Sequence, residues 1–161
     1  MIDWIFDNEG ALAIDHRTHP VFITSWHGAA TVKLVDRYYR WSDAMVAAAM
    51  AAEQRLVRIT DLSQARLPPA IVQKRLLEHA RHDLAGEVTL ANIVVVDDPR
   101  LRGLVTAQRW VSTRSSEIEI VDSMAAAIER SHARLRSARI PVPAGLDAAG
   151  YQAPRLASSL I

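Results

Sequence analysis

From Val21 to Leu135 the chain passes four times from a short β-branched run to a longer stretch with apolar residues three and four apart. The runs are Val21 to Trp26 (VFITSW), the LVRIT segment beginning at Leu56, residues 92 to 97 (NIVVVD) and Glu117 to Val121 (EIEIV). Parallel neighbours cannot be joined by a tight hairpin, so strands that alternate with helices at this spacing call for a largely parallel sheet with right-handed crossovers. The intervening stretches have the required period. Between Thr31 and about Ala52, Val32, Val35, Tyr39, Val46 and Ala49 recur at helical spacing, with Lys33, Asp36, Arg37, Arg40 and Asp43 largely opposite. Ile71, Val72, Leu76, Ala80 and Leu84 define the inner face of a second helix that opens at Pro68-Pro69 and stops before Gly86. Asp98-Pro99 is a ready helix start, with Leu101, Leu104, Val105 and Val111 behind it, and Thr113 to Ser116 break that helix. Asp122 and Ser123 are both suitable caps for a fourth helix bearing Met124, Ala127, Ile128 and Leu135.

Two runs precede this alternation. IDWIFD, residues 2 to 7, and Ala11 to Ile14 flank the turn signal Asn8-Glu9-Gly10 and read as a hairpin, which supplies an antiparallel edge. The predicted order is β-β-β-α-β-α-β-α-β-α. The continuous apolar centre of NIVVVD suggests burial on both faces, whereas the alternation of EIEIV places that strand nearer the edge. Beyond Ile140 the pattern ends among Pro141, Pro143, Gly145, Gly150 and Pro154, so residues 139–161 are expected to form an irregular tail, locally tied down or disordered, behind a domain over 1–138.

At 161 residues the chain holds one comfortable core, and its formal net charge of +1 provides no field to gather nucleic acid or an anionic membrane. The absence of cysteine excludes disulfides, thiolate metal sites and thiol nucleophiles. MIDWIFDNEG has neither a basic nor an apolar leader pattern, and no apolar run approaches the roughly 18 residues that span a bilayer, so a cytoplasmic location is expected. There is no P-loop, dinucleotide fingerprint or nucleophile elbow, and no enzyme activity or cofactor is expected.

The stretch RLVRITDLSQARLPPA, Arg55 to Ala70, reads as a buried strand ending at Asp61-Leu62-Ser63, then a solvent-facing turn, then a proline-opened helix. In open α/β sheets ligands and partners gather at the carboxyl ends of such strands. The element order, with this DLS corner after the central strand, resembles the STAS or SpoIIAA-like (anti-anti-sigma-factor) family. Four stretches over roughly Trp4 to Arg136 carry the resemblance: VFITSWHG, LVRITDLSQA, NIVVVDDPRLRGLV and EIEIVDSMAAAI. It implies an α/β SpoIIAA-like sandwich, a mostly parallel mixed sheet with an N-terminal hairpin and four helices. Family members carry a D-S-S-G-like phosphoacceptor at the start of the second helix; the matching Pro69, Ala70, Ile71 and Val72 contain no hydroxyl, and Ser63 matches the structural serine of the turn. A kinase-switched mechanism therefore does not carry over.

What the resemblance implies is a non-enzymatic module for regulation or signalling that docks to protein partners. Its contact edge is expected at His27, Asp61, Ser63, Arg66, Pro68, Asp97 and Asp98, with Asp61 orienting the turn, Arg66 offering charge and the prolines fixing the loop. Two alternatives remain open: a carrier of a small apolar or lipid-like ligand between sheet and helices, and a self-assembling module that uses the aromatic group Tyr38, Tyr39 and Trp41. Weaker motifs have simpler explanations. VVVDDPRLRGL looks like a receiver's acidic pair, but no lysine follows Lys74, and Asp98 is sufficiently explained as a cap. His79 and His82, three apart, lack the further ligands of a zinc site and read as solvated helix residues, as do His16 and His19 in their turn. Asp61, Ser63 and His27 have no spacing that supports a catalytic triad.

Overall fold

A computed structural model describes residues 1–112 and 118–156. Its six strands are β1 (Ile2–Phe6), β2 (Gly10–Asp15), β3 (Val21–Ala29), β4 (Leu56–Arg66), β5 (Thr89–Val95) and β6 (Ile118–Val121). Four helices accompany them: α1 (Val32–Ala51), α2 (Ala70–Ala80), α3 (Pro99–Val111) and α4 (Met124–Ser137), with a short 3₁₀ turn at Ala85–Glu87. The sheet runs β1-β2-β3-β4-β5-β6, antiparallel through β3 and parallel from there. The protein is therefore α/β with a mixed sheet, in the expected order of elements. The expected helix break at Thr113 to Ser116, and Glu117, lie outside the described residues.

Because each parallel strand is added on the same side of the last, right-handed crossovers place α1, α2 and α3 together on one face. The helix α4 has no strand to return to, and it packs on the other face against β4, β5 and β6. The pleat sorts the strand residues accordingly. Val21, Ile23, Val57, Ile59, Ile93 and Val95 meet Ala127, Ile128 and Leu135 of α4 in one cluster. On the helix-rich face, Leu12, Ile14 and Trp26 meet Leu34, Val35, Tyr38 and Tyr39 of α1, and Val94 and Ile118 meet Leu101 and Val105 of α3.

Local signals fix the helix ends. The Thr31 hydroxyl accepts from Leu34 N–H, the Asp98 carboxylate from Arg100 N–H at 2.8 Å, and the Ser123 hydroxyl from Ala126 N–H at 3.2 Å, each relieving an unpaired first-turn donor. Ser123, rather than Asp122, is thus the cap of α4. Its neighbour Asp122 pairs instead with Arg102.

Two expectations change. The DLS corner is strand rather than turn: β4 continues to Arg66, and its register on β3 shifts from Ser25↔Asp61 to His27↔Gln64. One extra residue on β4 makes a bulge, which ends ladder regularity while keeping the chain in the sheet. The Asp61 carboxylate accepts from Ser63 N–H at 3.0 Å across it. The helix α2 is shorter than its pattern suggested, and Ile71 (69 % exposed) and Leu84 lie outside the packed face, which is formed by Val72, Leu76 and Ala80. The tail has no helix or strand among its described residues and is tied down by packing. Ile140, Val142, Leu146, Ala148 and Tyr151 lie on the α4-side core; Tyr151 donates to the Asp15 carboxylate at 3.1 Å, and the Leu146 carbonyl is 2.8 Å from His132 Nε2. The tail completes a layer that one helix is too narrow to cover.

Candidate functional site: a cavity under the helices

On the helix-rich face the parallel register brings Arg58 of β4 beside Asn92 of β5, and Thr60 beside Val94. Charged and amide side chains here interrupt strands that are otherwise apolar. Over them lies a cavity of about 120 Å³ bounded by α1, α2 and α3. The void has a steric cause: Ala30, Ala65 and Ala80 line it and supply little side-chain volume, so the helices rest on Tyr38, Tyr39, Leu76 and Leu101 around its edge.

The cavity is amphipathic along its length. Leu62, Ala65, Val94, Leu101, Leu104 and Val105 form the end towards the carboxyl edge of the strands, beside Arg66 and Pro68 at and just past the end of β4. Arg58, Asn92, Asp83, Gln108 and the Tyr38 hydroxyl belong to the other end, towards the amino edge. The Arg58 side chain, only 6 % exposed, donates to the Tyr38 hydroxyl at 2.5 Å and to the Asp83 carboxylate at 3.4 Å. Burial acts to lower its pKa, but Tyr38 and Asp83 outweigh that and hold the guanidinium above its ordinary value, so it stays charged. Asp83 is itself held, accepting from Ala85 N–H at 2.8 Å.

Tyr39, beside them, has its phenol pKa pushed up, first by burial and then by Tyr38. Its ring stacks on His79 at 4.2 Å between centroids, and His79 Nε2 lies 2.8 Å from the Asp36 carboxylate. Thus His79 is a bound residue of the α1–α2 contact rather than a solvated one, while His82 is exposed. The Asp36 carboxyl is held below its ordinary range, chiefly by the hydrogen bond from Arg75 at 2.7 Å. The aromatic group on α1 is packing: Tyr38 and Tyr39 are buried, and Trp41 lies edge-on to Phe22.

The expected contact edge is divided between the two faces. His27 (7 % exposed) and Asp61 (4 % exposed) are buried beneath the tail, and Pro68 is buried at the cavity's end, so these three do not present to a partner in this conformation. The correction has a simple cause: β3 and β4 run beyond His27 and Asp61, so both side chains lie within the layer covered by Pro154 and Tyr151. Ser63, Arg66 and Asp97 are exposed, and Asp98 is half-buried as the α3 cap. Burial pushes the His27 pKa down, against Asp61 and the Pro154 backbone, so the imidazole is neutral. Its Nε2 and the Ser25 hydroxyl, on the same face, are buried without a hydrogen-bond partner among the described residues. That places no serine on His27, and no triad forms.

Arg58, Asn92 and Asp83 are the residues that sequence reasoning passed over, and it reads Tyr38 only as part of the aromatic group on the first helix. A signal existed: Arg58 in LVRIT and Asn92 in ANIVVV stand inside runs otherwise suited to burial on both faces, and a buried arginine requires partners. Among the described residues no cluster of three or more His, Asp or Glu side chains could hold a metal, and no helix is long and apolar enough to cross a membrane. No family model, curated protein or solved structure matches the chain.

Proposed function

We propose that this is a STAS-like, non-enzymatic domain whose task is to hold a small, mainly apolar molecule between its sheet and helices. The observation that carries the reading is the amphipathic cavity itself, an apolar end joined to a buried polar cluster, which is how small-molecule sites are commonly composed. The size suits a compact ligand, since an engineered apolar cavity of about 150 Å³ takes up benzene. Methyl-detected NMR during titration with toluene tests it. Shifts are expected at Leu101, Val105, Val94 and Ile118, all around the cavity, and are expected to vanish in Val105→Trp, which fills the space. Unperturbed methyls in the wild type at saturating toluene would sink the proposal.

A second reading, a regulatory module that docks to a protein partner, is favoured by the exposure of Ser63, Arg66 and Asp97 along one carboxyl edge. Arg66 also borders the cavity, so the occupied and empty forms would present different rims to a partner. Under this reading Arg66→Glu abolishes affinity capture of a discrete protein and leaves the fold intact. Equal capture by both forms removes Arg66 from the surface.

A further inference from the structure

Resting on the cavity reading above, we propose that the ligand is a small aromatic or branched-chain monocarboxylate, with its carboxylate held by Arg58, Asn92 and Tyr38 at the polar end. The argument is a count of donors and acceptors. Arg58 uses two of its five N–H groups among the described residues, on Tyr38 and Asp83. Because Tyr38 accepts that bond, its own O–H remains to be donated. The Asn92 amide, half-buried beside Arg58, makes no side-chain hydrogen bond among the described residues.

Among the described residues lining the cavity, the charged acceptor set against these donors is Asp83 alone. It contacts one Arg58 nitrogen at 3.4 Å, the long end of the range, and spends its other oxygen on Ala85 N–H. A pocket with surplus donors around a charged guanidinium is complementary to a group that only accepts, carries negative charge and can take two parallel bonds. A carboxylate has all three properties. A phosphate head would fit the charge, but its greater bulk leaves little of about 120 Å³ for an apolar body, and the apolar end would then have no occupant. The remaining volume matches one ring or a short branched chain. Asp83 is the counter-ion of Arg58 when the cavity is empty, and the incoming carboxylate takes over the unused edge of the guanidinium.

The test compares three probes of similar size on the full chain at pH 7: benzoate, benzyl alcohol and toluene. Calorimetry and the methyl shifts described above follow binding. Benzoate is expected to bind at least tenfold more tightly than benzyl alcohol, the scale set by a hydrogen bond to a charged group. In Tyr38→Phe, which keeps the ring packing, benzoate affinity is expected to fall severalfold while toluene affinity is unchanged. Arg58→Met removes the preference for benzoate; should that variant fail to fold, Tyr38→Phe and Asn92→Leu decide the matter. If toluene and benzyl alcohol shift the cavity methyls and benzoate binds no better, the carboxylate assignment is overturned and the cavity reading survives. If none of the three shifts those methyls, both are overturned.

Discussion

The two faces of the one sheet differ in what covers them. Towards α4 the centres of β3, β4 and β5 present valine and isoleucine, with Ser25, His27 and Asp61 further along the same face, and α4 together with the irregular tail packs over them. Towards α1, α2 and α3, the alternate positions of the same strands present Phe22, Thr24, Arg58, Thr60 and Asn92, and the helices enclose space. A strand has one backbone and two independent faces, so the residues that make β4 and β5 good central strands on one side leave the other side free for polar chemistry. The closed face supplies stability that the open face is then able to forgo.

Removing the closed face's cover should have the largest effect. Truncation after Ala138 uncovers the residues beneath Leu146 and Tyr151, and the expected product loses its cooperative thermal transition and near-ultraviolet circular dichroism. A truncated chain melting like the full one would show that the tail contributes nothing to that layer. Next comes a matched pair. Val57→Ala on the closed face is expected to cost about 2–3 kcal/mol in urea unfolding, from the lost methyl groups and the space they leave. Val94→Ala, bordering the cavity, should cost about half as much, because part of its surroundings is already empty. Equal losses would erase the distinction between the faces.

Tyr151→Phe isolates one polar contact of the tail. It should destabilise by about 1–2 kcal/mol through loss of the bond to Asp15. Asp15 is buried and its carboxyl is held low, with burial working to raise it and the hydrogen bonds from Arg17 and Tyr151 prevailing, so one of its acceptors would be left unmatched. The smallest effect concerns pH. His27 is depressed below its ordinary 6.5, so the folded chain binds fewer protons than the unfolded one. Its contribution is full above about pH 6.5 and is lost as pH falls through the lower folded value. Between pH 7.5 and 5.5 the urea midpoint should decline in the wild type and decline less in His27→Gln; parallel declines would exonerate His27.

Much of the fold was legible because it rests on period. A change from alternation to a three-and-four spacing is a local property, and it located every strand and helix of the alternating region, along with the Thr31-to-Ala52 helix and the Asp98-Pro99 start. Legibility failed where a neighbour decides. Nothing local distinguishes a turn after Asp61 from a bulged strand, since the difference lies in whether Gly28 and Ala29 are there to pair with Ala65 and Arg66. Ile71 and Leu84 fit the helical stripe but extend beyond the surface that α2 covers. His27 and Asp61 were placed at the right corner of the sheet, yet only the path of the tail decides that they are covered.

The sequence by itself determined the α/β class, the order of elements, the antiparallel hairpin at one edge and the helix starts, because hydrophobic period, proline stereochemistry and side-chain caps act within a few residues. Tertiary structure alone decided the cavity, the burial of the expected contact edge and the role of the tail as a second cover. A void exists where small residues from three separate segments, at Ala30, Ala65 and Ala80, meet beneath helices held off by larger ones. That meeting is a sum over distant positions, and no local pattern records it.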